Sequence, residues 1–416
     1  MTAGNGSEPG TLLIIGGRLQ AVEKAKALGL RVVLLQHRER LQPGQAEAAD
    51  ALLLIDYLDW ELTRPIVVAA HEAYRFTAVV TLVEQATELA GRINDVLGLP
   101  GTSYEVARRF HDKLGMRERL HAVGFESVAA APVASAEDIR AFGSRHGYPV
   151  VVKPTDGTGS RGAALVDAEQ DAEPVWDRLA SLRERGDLPM ATFYPLGEFM
   201  AEEYVEGPEY SVESFSFKGN HVVLAVTEKT QSGFTEVGHA QPAPLTGSDE
   251  RAVVDHTAGF LTAMGLLDGV GHTEIRLSAD GPRIIEGHDR VAGDRIMDLV
   301  EAVYGVDIER YAVGWPTGRL PEIAERPAPR GAAATRFLTA EPGVVAAVHG
   351  VEEVRAHPGV LDLDVSVAVG DVVERMDDNF GRHAQLLVTA KDTASAVELC
   401  ESLLSRIRVV PRAATD

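Results

Sequence analysis

An apolar strand that ends in a lysine and runs directly into a glycine-rich loop is the strongest single constraint on how this chain folds. Val150, Val151 and Val152 have the composition of a buried strand, with Lys153 at its end and Gly157, Gly159 and Gly162 in the loop that follows. The glycines permit positive φ and close approach, so successive N–H groups can surround an anion, while Thr155, Thr158 and Ser160 add hydroxyls. Lys153 brings a point charge to the same place. The order is the reverse of a Walker loop, in which lysine follows the glycines, and no GK[ST] opens a helix anywhere in the chain. By itself the loop leaves two readings open, a polyphosphate cradle or a hairpin turn carrying an exposed lysine.

The balance of charge narrows the ligands. Acidic residues exceed basic ones by 62 to 40, which argues against nonspecific nucleic-acid binding. A phosphate ligand would therefore depend on a few placed lysines or on Mg²⁺. The single cysteine, Cys400, excludes an intramolecular disulfide and a cysteine-rich metal site, and reads as a small buried apolar residue in a helix. The N-terminal MTAGNGSEPG is polar and flexible, with no basic or apolar leader segment, and no apolar run is long enough to span a membrane. A cytoplasmic protein with no membrane partner is expected.

With 416 residues and 45% apolar content, the chain should form two to four domains. In residues 1–105, LLII, a Gly16-Gly17 turn, a helix to about Leu28, RVVLL, ALLLI, a helix near Thr63 to Tyr74, TAVVTL and a helix from Glu84 to Leu97 predict an α/β domain. Its GGR turn lacks the GxGxxG spacing, and Gln36 and His37 stand where a ribose-binding acid would be expected. Residues 106–200 carry a charged helix from Ala107 to Ala122, the helix EDIRAFGSRHG, the lysine strand with its loop, and a polar helix through WDRLASLRERG. Residues 201–325 read as antiparallel strands, a helix RAVVDHTAGFLTAMG, a hairpin turning at Asp280-Gly281, and a helix from about Gly293 to Tyr304. Beyond the connector RPAPRGAA, residues 326–416 read as a small α+β cap with a helix from Thr393 to Ile407. The fold class is α/β and α+β multidomain.

The hairpin sets Glu274 and Glu286 on paired strands with a period of two, so both can face one side. They are either a two-carboxylate Mg²⁺ site or cross-strand residues paired with Arg276 and Arg283. Arg290 follows Glu286 by four and either grips a phosphate or carboxylate or pairs with Asp289 or Asp294, with His288 between. EEYVEGPE, from Glu202 to Glu209, is either an extended hinge suited to an adenine edge and a ribose or an acidic strand end. Lys113, on its own, reads as a solvated helix lysine.

Taken in order, DKLGMR at Asp112 to Arg117, VVKP with its glycine loop, EEYVEGPEYSVE and HTEIRLSADGPRIIEGHDR resemble the ATP-grasp superfamily over nearly the whole chain. The HTE strand and FTEVGHAQPAP, from Phe234 to Pro244, are similar to its carboxylate-amine ligases, including dipeptide-forming L-amino acid ligases. The resemblance implies an N-terminal α/β (pre-ATP-grasp) domain, a two-lobed ATP-grasp domain with antiparallel sheets, and a small C-terminal α+β cap. It makes Lys113 and Lys153 the nucleotide-contacting lysines. Gly157, Thr158, Gly159, Ser160 and Gly162 become the loop over the phosphates, Glu202 and Val205 the adenine hinge, and Glu209 the ribose residue. Glu274 and Glu286 become Mg²⁺ ligands, with Mn²⁺ an alternative ion, and Arg290 steadies the transferred phosphoryl group. His288 departs from the pattern, since many members have Asn there as a further ligand, and imidazole is a poorer partner for a hard cation.

The expected activity is amide formation between a carboxylate and an amine, both small molecules and the former an amino acid, through an acyl phosphate with release of ADP and phosphate. Glu84 is expected to meet a substrate ammonium, and Glu236 and His239 to line the acceptor pocket; helix capping and loop contacts are the competing readings. A purine-pathway or carboxylating enzyme of the same superfamily, acting on a ribotide or bicarbonate, is the first alternative, and a noncatalytic nucleotide-binding protein the second. A homodimer is expected from the resemblance.

Overall fold

The computed structural model describes residues 10–125, 128–184, 193, 195–374 and 378–412. The polar start of the chain, residues 1–9, and the end of the helix read through Gly186 lie outside the described residues.

The N-terminal unit is a parallel sheet of β1 (Thr11–Ile15), β2 (Arg31–Gln36), β3 (Ala51–Leu54) and β4 (Phe76–Thr81) in the order β3-β2-β1-β4. Its strands read as unbroken apolar runs because both faces are covered. Leu13, Ile15, Val33 and Leu35 pack into one core, while Leu12, Ile14, Val32 and Leu34 pack into another. The helix Trp60–Tyr74 starts earlier than its apolar pattern suggested, because the Asp59 carboxylate accepts the N–H groups of Glu61 and Leu62. Glu84 lies in a 3₁₀ turn, Glu84–Ala86, just before the helix Thr87–Leu97.

The helix expected from Ala107 to Ala122 is two helices, Tyr104–His111 and Lys113–Ala122. At Asp112 the backbone leaves the helical region, with φ −89° and ψ 102°, and the carboxylate caps the N–H groups of Leu114 and Gly115 at 3.1 Å each. Lys113 thereby opens the second helix, and its N–H donates to Thr155 O at 2.8 Å.

A second sheet, all antiparallel, is ordered β5-β8-β6-β7, from β5 (Ala130–Val133), β6 (Val150–Pro154), β7 (Ala164–Val166) and β8 (Phe199–Glu203). It carries the lysine strand as β6, buried along its whole length.

The large sheet is built from β9 (Glu209–Phe217), β10 (Asn220–Ser232), β11 (Thr235–Gln241), β12 (Gly269–Ser278) and β13 (Gly281–His288). It does not stop at the connector. Among β14 (Ala332–Leu338), β15 (Gly343–His349), β16 (Val360–Val365), β17 (Val372–Val373), β18 (Ala384–Ala390) and β19 (Arg408–Pro411), three strands extend it to eight in the order β13-β12-β9-β10-β11-β14-β18-β16. The last part of the chain is thus no free-standing cap. Only β17, β15 and β19 form a sheet of their own.

A helix not read from the sequence, Ile308–Gly314, docks on the N-terminal helix Leu19–Ala27. Lys24 reaches Asp307 at 2.7 Å and Glu309 at 2.9 Å, fixing the N-terminal sheet against the large one. The helix expected from Gly293 begins at Ile296, and the last one, Thr393–Leu404, stops short of Ile407.

Cys400 is fully buried on that last helix, donates to Leu386 O at 3.4 Å, and has its thiol pushed up to about 12 by burial. It is expected to resist a thiol reagent such as Ellman's at pH 8 in the native protein and to react fully once the protein is unfolded, as absorbance will read. No helix among the described residues is long and apolar enough to cross a membrane.

Candidate active site

Strand parity builds the site. On β9, Tyr210 and Val212 face an apolar core with Ile275 of β12 and Ile284 of β13. Glu209 and Glu274, each one residue off that set, therefore come to the opposite face. On β13 a bulge, which leaves Ile284 across from Ile275 but sets Glu286 across from Glu274, brings Glu286 to the same face, and the three line one cavity of about 310 Å³. Glu274 stands directly across from Glu286 in the β12–β13 register. The glycine loop, β8 and Lys113 supply further walls of that cavity, as do Lys229, Glu236, Arg290 and Arg382.

The charges that converge at the centre of the cavity are paired. Lys153 meets Glu202 at 2.6 Å, and Arg117 holds the other oxygen of Glu202 at 3.0 Å while donating to Ile284 O and Ile285 O at 2.8 and 2.6 Å. Lys113, only 7% exposed, donates to Gly157 O at 2.6 Å and stands 3.2 Å from Glu286, so it is not the solvated lysine its helix suggested. Lys229, whose side chain is 2% exposed, joins Glu209, Glu236 and Glu274 at 2.8, 2.7 and 2.9 Å. The glutamates are thus matched by Lys113 and Lys229, while Arg276 pairs with Glu209 at 2.9 Å and donates to Val205 O at 2.8 Å.

Arg290 pairs with neither Asp289 nor Asp294. Its guanidinium reaches Glu84 at 2.8 Å and Val291 O at 2.9 Å. Glu84 is not a helix cap, because its carboxylate turns to Arg290 and Thr158 of the cavity wall, accepting from the Thr158 hydroxyl at 3.0 Å. Asp294 instead takes His239 at 3.0 Å and both Nη atoms of Arg382, at 2.6 and 2.5 Å. His288 lies 3.3 Å from Glu286 and stacks on His272, which is held by Glu213 at 2.9 Å.

Electrostatics keep the paired carboxylates ionised. Burial opposes ionisation of Glu286, but Lys113 overcomes it and holds the carboxyl well below its usual range; at Glu274 burial is overcome by Lys229 in the same way. Glu84 is held at about 2, since Arg290, with His288 and Lys113, outweighs its burial. His288 is pushed down by burial and by Arg290, so it is a neutral imidazole at neutral pH. Glu236 is pushed up by burial in spite of Lys229.

This donor set fits a nucleotide triphosphate with a hard divalent cation. Two ionised carboxylates face each other, as an oxygen-ligating cation requires, and two lysines and the glycine loop stand beside them. Val205 enters through its carbonyl, which Arg276 engages. Gly159 sits at φ +64°, Gly162 at +79° and Ser160 at +60°, a conformation that the loop's glycines accept readily and serine rarely does.

Family models match in three stretches. Residues 22–101 match an ATP-grasp N-terminal domain, residues 146–298 an ATP-grasp domain, and residues 336–412 the L-amino acid ligase C-terminal domain 2. The chain belongs to the ATP-grasp superfamily. This ATP-grasp chain is 26% identical to the uncharacterised protein y4rH of Sinorhizobium fredii over 81% of this chain and 68% of that one. It is 28% identical to alanine–anticapsin ligase of Bacillus subtilis over 58% of this chain and 54% of the other, so it spans about half the length of that relative. Its fold is that of L-amino acid ligase from Bacillus licheniformis, with a TM-score of 0.82 at 21% identity, covering 98% of this chain and all of the other.

Arg117, Lys229, Asn379 and Arg382 escaped sequence reading as site residues. Arg117 lay inside the DKLGMR motif and needed only the break at Asp112 to place it. Lys229 had a signal in the parity of β10, where it stands across from His239. Asn379 and Arg382 gave none, because they reach the cavity from the far end of the chain.

Proposed function

We propose that this ATP-grasp protein is an ATP-dependent carboxylate–amine ligase acting on an amino acid. The observation that carries this reading is the pairing of Glu274 with Glu286 beside Arg290, Lys113 and Lys153, in a chain whose residues 336–412 match an L-amino acid ligase domain. A substrate carboxylate oxygen attacks the γ-phosphorus of ATP, the bond to the β–γ bridging oxygen breaks, and ADP leaves. An amine then attacks the acyl carbon, the C–O bond to phosphate breaks, and the amine's surplus proton is lost as the amide forms.

Lys113, Lys153 and Arg290 offset the negative charge of phosphoryl transfer. Glu274 and Glu286 hold Mg²⁺, or Mn²⁺ in its place, which supplies further charge neutralisation at the phosphates. His288 hydrogen-bonds Glu286 and serves as an orienting residue rather than a hard-cation ligand. Val205 and Glu209 take the nucleoside, with Glu202 holding Lys153 at its edge. The glycine loop covers the phosphates and excludes water. Glu84 receives the substrate ammonium and Arg290 its carboxylate, while Glu236 lines the acceptor end and His239, buried behind it, holds Asp294. The protein is proposed to work as a cytoplasmic homodimer on small molecules.

The test is ADP release with ATP and Mg²⁺ across a panel of amino-acid pairs, with mass spectrometry of the products. Pair-dependent release with a condensation product is expected, and Glu286→Gln should lower it about a hundredfold or more by weakening metal binding and phosphoryl transfer together. Release that ignores the amino acids, or follows a sugar phosphate instead, would sink the reading.

A further inference from the structure

The glycine loop meets a short turn from the C-terminal part of the chain, and that meeting extends to the far end of the cavity. The turn, Asn379–Gly381, is capped by Asp378, whose carboxylate accepts from Phe380 N–H at 3.0 Å. The main chain of Asn379 faces the loop, its N–H donating to Gly159 O at 3.2 Å. Gly159 sits at φ +64°, and a Cβ there would stand 2.9 Å from the Phe380 ring, so the approach requires glycine.

The side chain of Asn379 faces the other way. Its Nδ2 donates to Glu236 Oε2 at 2.9 Å and its Oδ1 accepts from Glu236 N–H at 2.9 Å, which fixes both the backbone and the carboxylate of that residue. Arg382 braces the arrangement: its Nε donates to Asn379 O at 2.8 Å while its two Nη atoms grip Asp294. One residue thus holds the loop with its main chain and the acidic end of the cavity with its side chain.

We propose that Asn379 and Arg382 are positioning residues that couple closure of the glycine loop to the placement of Glu236 and Asp294 at the amine-accepting end of the site. On the ligase reading above, the acyl phosphate is then offered to the amine only when the loop that keeps water out is shut. Loosening the tie lets water compete for the acyl carbon, so ATP is spent without amide formation.

Wild type, Asn379→Ala and Gly159→Ala are compared in three measurements: ADP released per amide formed, KM for each amino acid, and hydrogen exchange of residues 155–163 and 235–241 with Mg·ADP present. Asn379→Ala is expected to raise the acceptor KM about tenfold, the loss of a hydrogen bond to a charged group, and to raise ADP per product severalfold. Mg·ADP affinity by calorimetry should stay within about twofold, and both segments should lose protection together. Gly159→Ala should reproduce the uncoupling from the other side. An unchanged acceptor KM and ADP-to-product ratio, or a nucleotide affinity that falls as far as the acceptor's, would overturn the coupling. If wild type forms no amide with any pair, the ligase reading fails separately. Hydrogen exchange then decides the tie: joint loss of protection upholds it, and protection kept in both segments ends it.

Discussion

Arg290→Ala is expected to slow ADP release about a thousandfold or more, the range over which an arginine stabilises charge in phosphoryl transfer. The guanidinium is 87% shielded and faces the cavity beside Glu84, His288 and the paired glutamates. Its removal also strands Glu84, whose carboxyl is held at about 2, against its own burial, chiefly by this arginine. Arg290→Lys should recover little, because a point charge cannot reproduce the fork that reaches both Glu84 and Val291 O. Adding Glu84→Gln separates the two effects, since it removes the stranded charge without restoring the cation. Steady-state ADP release is the measurement, and a loss below about tenfold would remove Arg290 from the chemistry.

Lys229→Met is expected to cost about 3–5 kcal/mol of stability, the usual consequence of removing one partner from a buried ion cluster. The ammonium is the common partner of Glu209, Glu236 and Glu274, and without it three carboxylates converge on a methionine. Lys229 itself is pushed well above its ordinary value, Glu209, Glu236 and Glu274 outweighing the burial that opposes its charge. Glu236→Gln in the same chain should return part of the loss, and millimolar Mg²⁺ should return more of it in the variant than in wild type. Thermal melts at matched salt will show this; an unchanged melting temperature in the single variant would mean the cluster carries no net stability.

The elements that were legible from sequence owed it to periodicity. β1, β2 and β4 read as strands because a parallel sheet covered on both faces needs apolar residues at every position. Glu274 and Glu286 fell on adjacent strands because of the hairpin turn at Asp280-Gly281, but that register carried straight on would set Glu274 across from Ile285, and a bulge beyond Ile284 brings Glu286 there instead. What failed was non-local. The break at Asp112 is only one residue long, and a helical pattern drawn through it hid a buried lysine among surface charges. For Arg290 a phosphate or carboxylate grip and a pairing with Asp289 or Asp294 both stood open, because nothing in the local pattern shows that Glu84, 206 positions earlier, comes within 2.8 Å. Lys229 drew no reading at all, because the carboxylates it joins come from three other strands and meet it only in the fold.

The eight-stranded sheet also limits how the chain can be divided. A protein ended before Ala332 would keep the residues that hold nucleotide and metal, yet would expose the outer edge of β11, whose Gly238 to Gln241 pair with Ala333 to Arg336. Open edges of this kind recruit other chains, so such a fragment should precipitate rather than persist as a minimal nucleotide-binding unit. Chimeras face the same restriction. An exchanged C-terminal region must bring a strand that fits the β11 edge as well as a turn that fits Gly159, so evolution would be expected to inherit this region together with its sheet rather than shuffle it freely among ATP-grasp chains.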